Sequence, residues 1–312
     1  VPDAQTDKVF DQRTFIIRSL TRLLLIAGIA FIVKFFFIDS TTVRSDQMNP
    51  SIYSGDHILI FKTFTLPVLN SLFHPSLQKP ILFKYPSDTK RWSCLRIVAV
   101  PGDVISIDSG IFKNSNTKYR VKQTSPLSDL LPKEFSPRDF VSQYKIPEVG
   151  DTLPLDSLKI RDFFFALSLI RQESPEEQVR LIPVVTIDDS VCNDYIISGF
   201  SLFSGSITEI PDTLQNYWFF WIQLENYLKS IHHENHVSIK FTARKQDVAI
   251  HKYVVKKRHY FLLADNWESG YDSRYFGLVN ERFMIGRPFM IWWSTAKASG
   301  LKSISRIGRM IL

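Results

Sequence analysis

Cysteine is almost missing from the sequence: Cys94 and Cys192 are the only two in 312 residues. A disulfide framework is thereby excluded, and the one bridge the pair could form in an oxidising periplasm stays open at this point. Also missing is any RNP, zinc-finger or helix-turn-helix pattern to accompany the net charge of +7, whose Lys and Arg are dispersed along the chain. Nucleic acid is therefore not the expected partner of this basic protein; a membrane surface is. No internal repeat or low-complexity tract is present. A second long hydrophobic run is absent too. With 45% apolar residues and a mean hydropathy of -0.04, the chain has room for one membrane segment and is no multi-span transporter. What is there is ample for a core, in one large domain or two small ones. The chain opens on Val1 and not on Met, as expected of a numbering that starts after a trimmed segment.

Residues 15–38 read FIIRSLTRLLLIAGIAFIVKFFFI, apolar without interruption from Leu23 to Val33 and again from Phe35 to Ile38. This length predicts one transmembrane helix across a hydrocarbon core of roughly 30 Å, with Arg18, Arg22 and Lys34 snorkelling to the interfaces. A cleaved secretory signal needs a shorter apolar region and an A-x-A-like site, and DSTTVRSDQ (39–47) offers none. Lys8, Arg13, Arg18 and Arg22 precede the apolar run, against Lys34 and Arg44 at and beyond its end. The positive-inside rule then puts residues 1–14 in the cytoplasm and the rest outside it.

Beyond the anchor, β-rich runs alternate with turn signals: HILIFK (57–62), PILFKYP (80–86), LRIVAVPGDVISID (95–108), HKYVVKKRHYFLLADN (251–266) and RPFMIWWS (287–294). They predict a mainly β protein, a curled antiparallel sheet or open barrel built from 39–117 and 248–312. Between them, 118–247 has the texture of an inserted α+β subdomain. It holds the Pro-rich SPLSDLLPKEFSP, a helix expected around 156–180, and NYWFFWIQLENYLKSIHHENH (216–236) with Trp218, Phe219, Trp221, Leu224, Tyr227 and Leu228 near a helical period.

Three segments carry a family likeness. TTVRSDQMNPSIYSGDHILIFK (41–62) follows the pattern V-x-S-x-S-M-x-P-T-L-x-x-G-D-x-x-x-x-K at Val43, Ser45, Met48, Pro50, Gly55, Asp56 and Lys62. LRIVAVPGDVISI (95–107) follows K-R-V-x-G-x-P-G-D-x-I at Arg96, Pro101, Gly102 and Asp103. YFLLADNWESGYDSRYFGLVNERFMIGRPFMIWWS (260–294) is close to Y-F-x-M-G-D-N-x-x-x-S-x-D-S-R-x-W-G-x-V and the strand after it. In that order behind one anchor, they resemble bacterial type I signal peptidase, the peptidase S26 family of membrane-bound serine/lysine proteases. YKIPEVGDTLPLDSL (144–158) resembles the middle region of the larger Bacteroidota enzymes. The resemblance implies a mostly antiparallel β fold whose site opens at the bacterial inner membrane, with no cofactor or metal.

It also implies chemistry that these residues do not supply. The family hydrolyses an amide with a Ser nucleophile and a Lys kept neutral by burial. The nucleophile position, just before Met48, is Gln47; the base position, just before Arg96, is Leu95; the serine that supports the lysine falls at Gly270. Ser45 matches the family's oxyanion serine, so a one-residue slip does not restore a nucleophile, and an arginine such as Arg96 stays protonated and makes a poor base. Asp265, Asp272 and Arg274 are kept as scaffold, with Asp272 and Arg274 on one face if that piece is extended. The expectation is therefore a catalytically silent relative that binds signal peptides, exported proteins or an active signal peptidase, in export or surface assembly. The rivals are a divergent active peptidase and a structural subunit docking through 118–247.

Other patterns weigh less. His232 and His236 are spaced for one helix face beside His233, but H-E-N-H is one residue short of the zincin motif, and a solvated helix end is the simpler reading. Ser87 to Lys90 satisfies S-x-x-K without its companion motifs and reads as a loop. Trp218, Trp221, Trp267, Trp292 and Trp293 fit core packing or the bilayer interface equally well.

Overall fold

The computed structural model describes residues 4–62, 75–115, 139–192, 216–233, 235–246, 248–296 and 303–311, with side chains described from residue 15 onward. The first element is helix α1 (Ala4–Phe36). Within it, Phe15–Phe36 is a 22-residue stretch of mean hydropathy 2.1 with none of its apolar window buried, about 33 Å long at the α-helical rise and so matched to a bilayer core. The helix stops short of the expected Ile38, because Ile38–Thr42 pairs antiparallel as β1 with β2 (Asp56–Phe61). Next come β3 (Pro80–Tyr85), β4 (Asp88–Ala99), β5 (Val104–Asp108) and β6 (Ile111–Asn114).

The middle of the chain gives β7 (Val141–Lys145), β8 (Thr152–Pro154), α2 (Ile160–Glu173), β9 (Val179–Ile187), β10 (Ser190–Val191), α3 (Trp218–Ile231) and β11 (Val237–Lys245). The last part adds β12 (Val248–Ile250), β13 (Lys252–Val254), β14 (His259–Leu263), α4 (Ser273–Phe276), β15 (Val279–Asn280) and β16 (Met284–Ser294). A seven-stranded antiparallel sheet runs β1-β2-β16-β3-β4-β14-β15, flanked by sheets β6-β5-β7, β10-β9-β11-β12 and β13-β8. All five strand segments read from the sequence are present, the long 95–108 run broken at Pro101–Gly102, where Gly102 takes φ +90°.

Helix α2 is shorter than the 156–180 expectation. It ends at Glu173, one residue before Ser174–Pro175, since the residue preceding a proline is pushed out of the helical region. Strand β9, with Pro183 inside it, had no counterpart in the sequence reading, because an internal proline demotes a run. The stretch SPLSDLLPKEFSP lies outside the described residues.

The middle stretch packs into a core shared with the family-like strands. Phe163, Phe165, Trp218, Trp221 and Leu224 belong to one buried cluster with Val98, Ile105, Phe261 and Leu263, and β7 pairs with β5. The end of α2 is locked by hydrogen bonds. Glu173 accepts from Tyr253 Oη at 2.8 Å, Lys256 N at 2.9 Å and Lys257 N at 2.8 Å, and Gln172 joins Leu278 O at 2.7 Å to Asn280 N at 2.8 Å. Glu173→Ala takes the acceptor from Tyr253 Oη and from the N–H groups of Lys256 and Lys257 and is expected to cost about 1–3 kcal/mol, read as a lower denaturant midpoint with an unchanged slope. Glu173→Gln, which keeps an acceptor, is expected to lose about half as much.

Candidate functional site

The three motifs of the sequence come together around strand β4. The 43–56 loop closes on itself, with Val43 N donating to Asp56 O at 2.9 Å and Gly55 N to Val43 O at 2.8 Å. Gly55 sits at φ +94°, and a Cβ there would lie 3.0 Å from Ala296 N, so the turn needs glycine. Met48 and Ile52 anchor the loop in a buried cluster with Ile58, Ile60 and Ile291.

Gln47, next to Met48, is thereby fixed over β4. Its carbonyl accepts from Asn266 N at 2.9 Å, Asn266 Nδ2 donates to Asp46 O at 3.1 Å, and its side-chain Oε1 accepts from Ser93 Oγ at 2.8 Å. Strand alternation puts Ser93 and Leu95 on the same face. Leu95 is fully buried, in one cluster with Ile81, Phe83, Leu262 and Ala264. Gly270 abuts the same cluster, since a Cβ built on it would lie 2.2 Å from Ala264 Cβ. Gln47, Leu95 and Gly270 are thus brought to one place, and Ser45 is half-buried two residues before Gln47. Ser93 and Ala264 were not singled out from sequence. Ala264 had a signal, because the family pattern has glycine there.

Two charged clusters frame this centre. Arg96 clamps Asp265 through Nε at 2.7 Å and Nη2 at 2.6 Å and donates to Gln78 O at 2.6 Å, while Ser51 Oγ also donates to Asp265. Its guanidinium is therefore committed to the scaffold. Asp272 and Arg274 are fully buried and paired at 2.8 Å through both Nε and Nη2. The extended backbone anticipated for them is not what joins them. Asp272 caps the short helix α4, accepting from Arg274 N at 3.1 Å, so the side chains meet across a helix start. Asp272 Oδ2 also accepts from Ala264 N at 3.0 Å, and Arg274 lies 4.1 Å over the Trp267 ring.

A third buried pair was not read from sequence. Arg306 Nη2 lies 2.5 Å from Asp56 Oδ2 and its Nε 3.0 Å from Oδ1. Ser294 Oγ donates to Asp56 at 2.6 Å and Tyr53 N at 2.8 Å. Asp56 is a motif residue, but its partner is 250 positions away and outside every motif. Burial alone pushes the Asp56 carboxyl up; the bonds from Arg306, Ser294 and Tyr53 outweigh this and hold it below 3.8.

The remaining candidates disperse. Helix α3 ends at Ile231, so His232 and His236 do not share a helix face. Ser87 is in the two-residue turn of the β3–β4 hairpin and Lys90 is already in β4, correcting the loop reading. Trp218, Trp221 and Trp267 are core, whereas Trp292 and Trp293 are 44% and 50% exposed on the sheet that carries the anchor strand β1. Cys94 and Cys192 are both free; desolvation, with the charge of Asp265, pushes the Cys94 thiol up to about 12 against a smaller opposing effect of Arg96.

One apolar helix feeding a curled antiparallel sheet, with two loops tied together over a central strand, fits a membrane-anchored β protein. The family model for signal peptidase, peptidase S26, matches residues 16–147 and 212–293, more than half of the chain, and the chain belongs to that family. Signal peptidase I of Buchnera aphidicola subsp. Baizongia pistaciae is 22% identical over 303 residues, covering 94% of this chain and 82% of that protein. Signal peptidase I of Aquifex aeolicus is 22% identical over 277 residues, covering 89% and 84%. A solved signal peptidase I structure from Enterococcus faecalis V583 covers 69% of this chain and 97% of its own at 12% identity, with a TM-score of 0.23, and adds nothing to that assignment.

Proposed function

We propose that this chain is a catalytically silent relative of signal peptidase I, held in the bacterial inner membrane with its N-terminus cytoplasmic. On this reading it binds signal peptides or exported proteins in protein export or surface assembly. One observation carries it: the nucleophile, base and base-supporting positions are all replaced, with Gln47 bonded to Ser93 and Leu95 and Gly270 both set against Ala264. A carboxamide forms no acyl-enzyme, and the Gln47 side chain is already bonded to Ser93. Leu95 offers no proton acceptor in a fully buried position. Loss of the members of one catalytic unit costs on the order of 10⁶ in turnover, which leaves binding as the property the retained loops can serve. Ser45, Met48, Arg96, Asp265, Asp272 and Arg274 then hold the loops in place over β4 and do no chemistry.

The test is a titration of the purified full chain in detergent with a fluorescently labelled signal peptide, followed by anisotropy and then by mass spectrometry of the peptide. Saturable binding with the peptide intact is the expected result. Absence of binding at any accessible concentration overturns the peptide-binding role.

A further inference from the structure

We infer that Ala264 is a fourth altered position of the site, its methyl group taking the room that a side chain at 270 needs, so that the two positions are coupled. This rests on the reading of the site as a refilled one. Position 270 is not barred to a side chain by its backbone, whose φ lies outside the left-handed region; what bars it is space. A Cβ there meets Ala264 Cβ at 2.2 Å, far inside the ~3.5–4.0 Å at which carbon atoms attract.

Ala264 has no way to yield. A methyl group has no alternative rotamer. The residue's N–H is bonded to Asp272 Oδ2 at 3.0 Å, and that carboxylate is itself held by Arg274. On the other side, the next residue, Asp265, is clamped by Arg96 at 2.6 and 2.7 Å. Ala264 is 2% exposed, in the cluster that holds Leu95. Once Ala264 becomes glycine, the 2.2 Å overlap is gone and the nearest atoms to the new Cβ are Asn266 O at 3.0 Å and Asp272 Oδ2 at 3.1 Å, close contacts that call for adjustments of only a few tenths of an ångström. The family pattern, glycine at the first position and serine at the second, is therefore mirrored here as alanine and glycine: one small group in one space, supplied from the opposite side.

The test is a double-mutant cycle on the full chain, reading thermal unfolding of Gly270→Ser, Ala264→Gly and the pair, with Gly270→Ala as a version of the clash that carries no hydroxyl. Gly270→Ser and Gly270→Ala are each expected to lower Tm by about 5 °C or more or to abolish soluble expression. Adding Ala264→Gly is expected to recover most of the loss, although alone it lowers Tm slightly. A Gly270→Ser variant that melts with the parent, or a loss that Ala264→Gly fails to recover, overturns the coupling. Cleavage of a preprotein by the parent chain would overturn the silent reading instead and leave this cycle's outcome unchanged, so the two failures are distinguishable.

Discussion

Gln47→Ser, Leu95→Lys and Gly270→Ser introduced together are expected to give no cleavage of a preprotein, whereas the same three with Ala264→Gly are expected to give measurable turnover. The three-fold variant restores each functional group by name but forces a side chain at 270 into Ala264, whose Cβ is 2.2 Å from where the new one must sit. The stretch between the two fixed ends, 266–270, then shifts, and with it Asn266, which holds the Gln47 carbonyl at 2.9 Å. A misplacement of about 1 Å at a reacting group is enough to cost 10²-fold in rate. The fourth substitution removes that obstruction.

Leu95→Lys carries its own penalty. An amine with an ordinary value of about 10.4, kept neutral at pH 7 by burial among Ile81, Phe83 and Leu262, costs roughly 4–5 kcal/mol of stability. The unfolded chain binds the proton that the folded one has shed, so this loss shrinks as pH rises from 7 towards 10. The variant is therefore best assayed at alkaline pH, and its Tm is expected to rise with pH relative to the parent. A three-fold variant as active as the four-fold one contradicts the role given to Ala264.

Arg306→Ala is expected to be the most damaging single truncation among the framing ion pairs, costing about 3–5 kcal/mol and roughly 10 °C in Tm. The carboxylate of Asp56 has no exposure, so removal of its partner leaves a buried charge supported only by Ser294 and Tyr53 N. The segment 303–311 is tied to the sheet through the same pair, beside backbone bonds such as Ile311 N to Phe289 O at 2.9 Å. Replacement of both partners by apolar residues of similar volume is expected to cost far less than either single change. The pH dependence has a definite sign. The folded-state value of Asp56 lies below 3.8, so its contribution is complete above 3.8 and is lost as pH falls through the lower folded value. The acid limb of the parent's stability curve should flatten in an Asp56→Asn variant; an unchanged acid limb contradicts the pairing energy assigned here.

How much of this was legible depends on the range of the interaction. The anchor and the five strand runs announce themselves by local hydropathy and turn chemistry, and the degenerate positions Gln47, Leu95 and Gly270 by their fixed spacing from Met48, Arg96 and Asp272. Pro183 hid β9, since the bonds that keep most of the strand come from β11, some fifty residues on in sequence. The Asp56–Arg306 pair was invisible because nothing in SISRIGRMIL (303–312) marks its arginine as a partner for a carboxylate at the other end of the domain. Ala264 was on view as a departure from the family pattern, yet its meaning is steric and needs the distance to Gly270. The stretch 118–247 has the composition of an insertion, but Phe165 and Trp218 pack with Phe261, a merger of cores that composition does not encode.

The central claim is tested most directly by incubating the purified full-length chain in detergent with a radiolabelled preprotein, beside an active signal peptidase I, and following the mature product over many turnovers' worth of time. The expected result is complete processing in the control and no mature product from this chain at a stoichiometric ratio. Accumulation of correctly cleaved product that a single substitution in this chain abolishes would contradict it.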